Sequence, residues 1–213
     1  MGERIGAASL AMRIGVFGGT FDPIHVGHLV TAVNVRHALD LDRVLLVVAN
    51  DPWQKADLPV TPAADRLAMV EAAVGEVAGL EASALEIEWG GQSYTADTLA
   101  TLRCLHSGAE LFVILGSDAA ALLPTWERVE EVRAGVTLVV VTRPGADEEA
   151  PPMGWDHRVV EVPRLEVSST DLRARFTDGR PLDWLVTDPV VHVIRQRGLY
   201  AVGQMASPRS ATS

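Results

Sequence analysis

A chain of 213 residues, 48% hydrophobic and 22% charged, can bury the core of one generous domain, which argues against a disordered or fibrous protein. Its 18 basic and 28 acidic side chains give a formal charge of −10, so sequence-independent binding to nucleic acid or anionic lipid is disfavoured and any phosphate site must be a small local patch of positive charge. Cys104 is the single cysteine, which excludes an intrachain disulfide and fits a reducing compartment. The longest apolar runs, Val44–Ala49 and Val136–Val141, are strand-sized, far below the roughly 20 residues that span a bilayer. Residues 1–12 lack the apolar core of a signal peptide, so the composition predicts a cytoplasmic protein with no membrane partner.

In chain order, Arg13–Phe17 reads as a buried strand and Val26–Leu39 as a helix. Arg43–Ala49 is continuously apolar, as suits a parallel strand covered on both faces. A helix follows over Pro62–Val74, then a weaker strand over Leu80–Glu88, a helix over Thr95–His106 and a strand over Glu110–Leu115. Asp118–Arg133 reads as helix interrupted by Pro124. Val136–Val141 and Val159–Val162 read as strands and Ser169–Phe176 as a short helix. A last helix starts at Asp188-Pro189, with Asp188 as N-cap, and ends at Gly198. The apolar neighbours of Cys104 predict that it is buried packing. Alternating strands and helices predict a doubly wound parallel α/β sheet, one domain over residues 12–203, with disordered ends at 1–11 and 204–213. The Pro/Gly-rich acidic stretch 143–155 is expected to be a mobile loop.

In such a sheet, ligands sit beyond the carboxyl ends of the strands. The first strand is followed by GGTFDPIHVGH, residues 18–28. Gly18 and Gly19 let the backbone approach a ligand closely, and the next helix offers free N–H groups and a positive dipole end to a phosphate. His25 and His28, three residues apart at that helix start, face one side and can donate to phosphate oxygens as charge builds up. The bland alternatives are a tight turn with a structural histidine, or a metal pair, although no further ligand accompanies the pair at suitable spacing. The string is also not the G-x-G-x-x-G dinucleotide fingerprint. The second element is Val167-Ser168-Ser169-Thr170-Asp171-Leu172-Arg173. Ser168 and Asp171 form a helix-capping pattern, and Arg173 in the same first turns can fork onto phosphate oxygens. Read alone, it is a capped helix with an exposed arginine.

The eleven-residue string resembles the T/HxGH signature of the nucleotidyltransferase superfamily, and in full it resembles nicotinate-nucleotide adenylyltransferases. The late segment is similar to the superfamily's ISSTxxR motif, with Val167 in place of Ile. The resemblance implies a Rossmann-like nucleotidyltransferase fold and spans about residues 13–200. It implies that Gly18, Gly19, Thr20, Phe21, His25, His28, Gly116, Asp118, Ser168, Ser169, Thr170 and Arg173 bind ATP. Ser93-Tyr94-Thr95-Ala96-Asp97-Thr98-Leu99 resembles the SYTxDTL segment, where Tyr94 and Thr95 would meet the pyridine carboxylate; Ser93 or Thr95 is also expected to cap the helix. Leu123-Pro124-Thr125-Trp126 resembles LPxW, with Trp126 stacking on the pyridine. Asp118, following Gly116-Ser117, would take ribose hydroxyls, and Arg143 the mononucleotide phosphate. Asn50–Lys55 departs from the family's PPHK-like loop, but Lys55 matches.

The resemblance implies adenylyl transfer from ATP to nicotinate mononucleotide, with His25, His28, Lys55 and Arg173 as the catalytic set. Mg²⁺ would accompany ATP, held by substrate oxygens and water rather than by a protein cage. The partners are these small molecules, and the sequence leaves a homo-oligomer open. Rival readings are transfer to another acceptor such as phosphopantetheine, or a non-catalytic ATP-binding regulator.

Overall fold

A computed structural model describes residues 11–52, 59–144 and 154–201. Lys55, with Trp53 and Gln54, lies outside the described residues, as do residues 145–153 of the expected loop and, apart from Ala11, the expected ends.

Among the described residues, six parallel strands form one sheet in the order β3-β2-β1-β4-β5-β6. They are β1 (Arg13–Gly19), β2 (Arg43–Val48), β3 (Leu80–Ser83), β4 (Glu110–Gly116), β5 (Val136–Thr142) and β6 (His157–Glu161). The helices are α1 (Val26–Ala38), α2 (Ala63–Val74), α3 (Leu85–Trp89), α4 (Thr95–Leu105), α5 (Ser117–Ala121), α6 (Val129–Arg133), α7 (Ser169–Asp178) and α8 (Asp188–Gln196). Strand order reverses at β1, which pairs with β2 on one side and β4 on the other. That is the doubly wound arrangement, and the reversal makes a crevice at the carboxyl ends of β1 and β4.

The four inner strands, β2, β1, β4 and β5, feed two cores because successive side chains alternate faces, whereas the edge strands β3 and β6 serve one. In β4, Phe112 and Ile114 join Val35 of α1, Met69 of α2, Leu172 of α7 and Ile194 of α8. Leu111, Val113 and Leu115 join Leu99 of α4 and Val132 of α6 on the other face. This two-sided burial is why β2 and β5 read as unbroken apolar runs. None of the helices among the described residues is long and apolar enough to cross a membrane.

Five local expectations are corrected. The strand expected to Glu88 ends at Ser83, and Leu85–Trp89 coils into α3. The alternation Leu85-Glu86-Ile87-Glu88 imitates a strand, but Glu86 turns inward to accept a hydrogen bond from Thr98 Oγ1 at 2.6 Å. The stretch 118–133 is two short helices separated by a 3₁₀ turn at Leu123–Thr125, and Arg128 adopts a left-handed φ of 52° that stops helix continuity. Thr187, not Asp188, is the N-cap of α8, so Asp188 and Pro189 occupy its first turn. Cys104 is exposed, because two residues past buried Leu102 the α-helix has turned about 200°. The sixth strand also starts and ends earlier than expected, at His157–Glu161 rather than Val159–Val162.

Candidate active site

Because all six strands run the same way, the segments after β1, β4 and β5 emerge on one edge of the sheet. β1 delivers Gly18-Gly19-Thr20 there, β4 delivers Gly116, and Arg143 follows β5. Gly19 is fixed by packing: a Cβ on it would lie 2.8 Å from the Phe21 ring. Gly18 differs, since a Cβ there would meet nothing within 4 Å.

The turn between β1 and α1 is anchored by Phe21, Asp22 and Ile24, all essentially buried. Phe21 adopts a left-handed φ of 50° and sets its ring edge-on to His28, 5.0 Å between centroids. His25 is the N-cap of α1, and its backbone N–H donates to His28 Nδ1 at 3.2 Å. A neutral His28 therefore carries its proton on Nε2. The two rings stack at 3.8 Å, tilted by 30°. Gly27 makes room for the stack, because a Cβ there would sit 3.0 Å from the His25 ring. His25 is only 8% exposed, and its Nδ1 has no hydrogen-bond partner among the described residues. Burial, helped by the positive charge of Arg143, lowers its pKa to about 4. At neutral pH it is an uncharged imidazole.

The late Ser/Thr segment docks directly on this turn. Ser168 is the N-cap of α7, its Oγ accepting from the Asp171 N–H at 3.2 Å, so the expected cap forms. The reciprocal half of the expected box does not form: the Asp171 carboxylate accepts instead from Arg175 at 2.6 Å and Arg180 at 2.9 Å. Ser169 Oγ donates to Pro23 O at 3.0 Å. Arg173 donates to Asp22 O at 2.7 Å and to Thr170 Oγ1 at 3.3 Å. Residues 146 and 151 apart in sequence thus share one edge of the molecule.

A cavity of about 180 Å³ opens beside the glycine turn. Gly18, Gly19, Thr20, Tyr94, Thr95 and Trp126 line it, with Glu86 buried in its wall. Burial raises the Glu86 carboxyl above its ordinary pKa. Ser93 does not cap α4: its Oγ accepts the Asn50 N–H at 2.8 Å, and the N-cap position is Tyr94, which makes no side-chain cap. Gly116, Asp118, His25, His28, Arg143 and the 168–173 segment do not line this small cavity. Asp118 and Arg143 stand exposed on the same edge, after β4 and β5.

Arg66 was not anticipated. It is 1% exposed, and its guanidinium donates to Thr61 O at 2.8 Å, Thr20 O at 2.9 Å and Asn50 O at 3.0 Å. It ties together the segments leaving β1 and β2, with Asp22 and Asp51 offsetting its charge. An arginine amid Leu67, Met69 and Val70 was the available signal, since arginine sits inside only when paired.

Comparison with known proteins agrees with the geometry. The cytidylyltransferase-like family model matches residues 16–175. A Corynebacterium kroppenstedtii protein named a probable nicotinate-nucleotide adenylyltransferase is 45% identical over 191 residues, covering 88% of this chain and 90% of that one. A Streptomyces coelicolor protein of the same name is 45% identical over 186 residues, covering 86% and 98%. The solved Plasmodium falciparum nicotinic acid mononucleotide adenylyltransferase, complexed with NaAD, superposes with a TM-score of 0.73 at 20% identity, covering 89% of this chain and 97% of that one, and so shares the fold. The chain belongs to the cytidylyltransferase-like family and, within it, to the nicotinate-nucleotide adenylyltransferases.

Proposed function

We propose that this protein transfers the adenylyl group of ATP to nicotinate mononucleotide, giving nicotinate adenine dinucleotide and pyrophosphate. The observation that carries the reading is the docking of Ser169 and Arg173 on Pro23 and Asp22, which sets two anion-binding helix starts around one edge of the sheet. An acceptor phosphate oxygen attacks the α-phosphorus in line, the new P–O bond forms, and the bond to the bridging oxygen breaks with pyrophosphate taking the electron pair. The nucleophile is already an anion at neutral pH, so the residues align it and neutralise developing charge rather than remove a proton.

His25 and His28 serve as hydrogen-bond donors to the reacting phosphate, a role supported by their stacking on one turn and by the His25 N–H bond to His28 Nδ1, which leaves Nε2 of His28 to donate. Lys55, Arg173 and the N-terminus of α7 hold the β- and γ-phosphates, with Ser168, Ser169 and Thr170 presenting its backbone N–H groups. Ser169's hydroxyl, engaged with Pro23, acts by placing the helix. Gly18 gives the nucleotide room along the backbone, Gly116 and Asp118 receive ribose, and Arg143 receives the mononucleotide phosphate. In the 180 Å³ cavity, the pyridine ring stacks on Trp126, and its carboxylate meets the backbone N–H groups of Tyr94 and Thr95 at the start of α4.

Among the described residues, no three His, Cys, Asp or Glu side chains converge as a metal cage. Mg²⁺ would enter with ATP, held by phosphate oxygens and water, and would supply charge neutralisation to the leaving pyrophosphate. The deciding experiment is pyrophosphate release from ATP and Mg²⁺ with nicotinate mononucleotide, nicotinamide mononucleotide or phosphopantetheine as acceptor. Nicotinate mononucleotide is expected to give the highest kcat/KM; release with phosphopantetheine alone, or with no acceptor tried, rejects the reading.

A further inference from the structure

The turn that carries the histidines is gripped from the far end of the chain. Beyond residue 168, Ser169 donates to Pro23 O, Arg173 donates to Asp22 O, and Leu185 O accepts the Val26 N–H at 3.0 Å. The fourth bond differs in kind. Tyr200 OH donates to Asp22 Oδ1 at 2.6 Å, and both residues are only 4% exposed. The other carboxylate oxygen of Asp22 accepts the Thr61 N–H at 3.1 Å. One buried carboxylate thus joins three remote segments, with the charges of Arg66 and Arg173 close by.

Strain marks the same place. Tyr200 holds a left-handed φ of 61°, and Phe21, next to Asp22, holds 50°. Non-glycine residues keep such conformations where their surroundings over-determine them, typically at functional sites. The Tyr200 ring leans on Phe176 at 5.6 Å, outside the stretch 16–175 that the family model matches. From Asp22 the path to the imidazoles is short. Phe21 packs against His28, and buried Ile24 fixes the backbone that enters His25.

We propose that Tyr200 is a positioning residue for adenylyl transfer, its hydrogen bond to Asp22 aiming the His25–His28 pair at the reacting phosphate. The inference rests on the function proposed above. Displacing catalytic donors by about 1 Å can cost on the order of 100-fold in rate.

The test is Tyr200→Phe in the full chain, which removes one oxygen and leaves the ring packing in place. Val136→Ala, at the amino end of β5 and remote from the site, is the control for lost stability. Turnover is measured well below both unfolding midpoints, alongside imidazole ¹⁵N NMR spectra. Tyr200→Phe is expected to lower kcat roughly tenfold or more, leave both KM values nearly unchanged, and shift the His25 and His28 signals. Val136→Ala is expected to do none of these. Wild-type turnover in Tyr200→Phe, unmoved imidazole signals, or equal effects in both variants overturns the proposal. Lack of pyrophosphate release by the unmodified protein would instead refute the function, and the spectra would still report on the positioning.

Discussion

The His25 and His28 rings stack 3.8 Å apart, and one member of the pair is buried beside an arginine. Two imidazolium charges at that separation, shielded from water, would repel strongly. The stack therefore disfavours a doubly charged pair, in keeping with His25 being an uncharged imidazole at neutral pH.

Stability should carry the signature of this burial. In the unfolded chain His25 titrates near 6.5, whereas in the native protein burial first, and Arg143 second, holds it down to about 4. Between those values the unfolded state binds a proton that the native state refuses, so stability falls as pH falls from 6.5 towards 4. One pKa unit corresponds to ~1.4 kcal/mol, so the full loss is on the order of 3 kcal/mol. Urea unfolding at pH 7.5, 6.0 and 5.0 should show a steeper decline for the unmodified chain than for His25→Gln. Parallel declines would contradict the assignment.

Replacing His28 with alanine should cost on the order of 10²–10³ in kcat while leaving the fold intact. Its Nδ1 accepts the His25 N–H and its ring packs on His25, Phe21 and Phe17, so a modest loss of stability accompanies the loss of turnover. Coupled pyrophosphate release and far-UV circular dichroism measure the two halves. Near-native turnover in a folded His28→Ala protein rejects a direct role.

Adjacent glycines should respond in opposite ways. Gly18→Ala adds a methyl that meets no protein atom, so its melting temperature should stay close to that of the unmodified chain while the KM for ATP rises. Gly19→Ala places a Cβ 2.8 Å from Phe21 and should destabilise by roughly 1–3 kcal/mol, the usual range for overpacking. Calorimetry and ATP saturation curves on the pair separate packing from ligand clearance.

Arg66→Leu should destabilise severely. It strands three carbonyls and removes the charge facing Asp22 and Asp51. Unmet buried groups cost roughly 1–3 kcal/mol each, so a total above about 3 kcal/mol, or about 6–12 °C in Tm, is expected. A melting temperature within 2 °C of the unmodified chain, taking roughly 2–4 °C per kcal/mol, would show that the guanidinium is dispensable.

The inner strands were legible because they are buried on both faces, unlike the edge strands β3 and β6. Val44–Val48 and Val136–Val141 are almost wholly apolar, whereas β1 runs two residues further than expected, through Gly18 and Gly19, which pair with Val47 and Val48. The two segments were legible as motifs, but their mutual docking was not, since β6 lies three strands from β1 and the contact rests on the bonds of Ser169 and Arg173 to Pro23 and Asp22. What sequence did not reveal depends on partners distant along the chain. Glu86 reads as the polar half of a strand until Thr98 is seen to receive it. Ser93 reads as a cap until Asn50 claims its hydroxyl. Asp22 was legible only as part of the eleven-residue string, and its burial with Arg66 and Tyr200 was not. Trp126 and Tyr94 were found through resemblance, because an aromatic residue at a helix end has no distinctive spacing of its own.

Asp22 and Tyr200 are separated by 178 positions, so the bond between them closes almost the whole polypeptide into a ring. During synthesis the glycine–histidine turn leaves the ribosome early and must wait, lacking its last tether, until nearly every other residue has been added. A partly made chain can form β1, β2 and β4 but cannot lock the segment that joins β1 to α1. A protein cut short before residue 200 would keep most of its sheet and lose the latch.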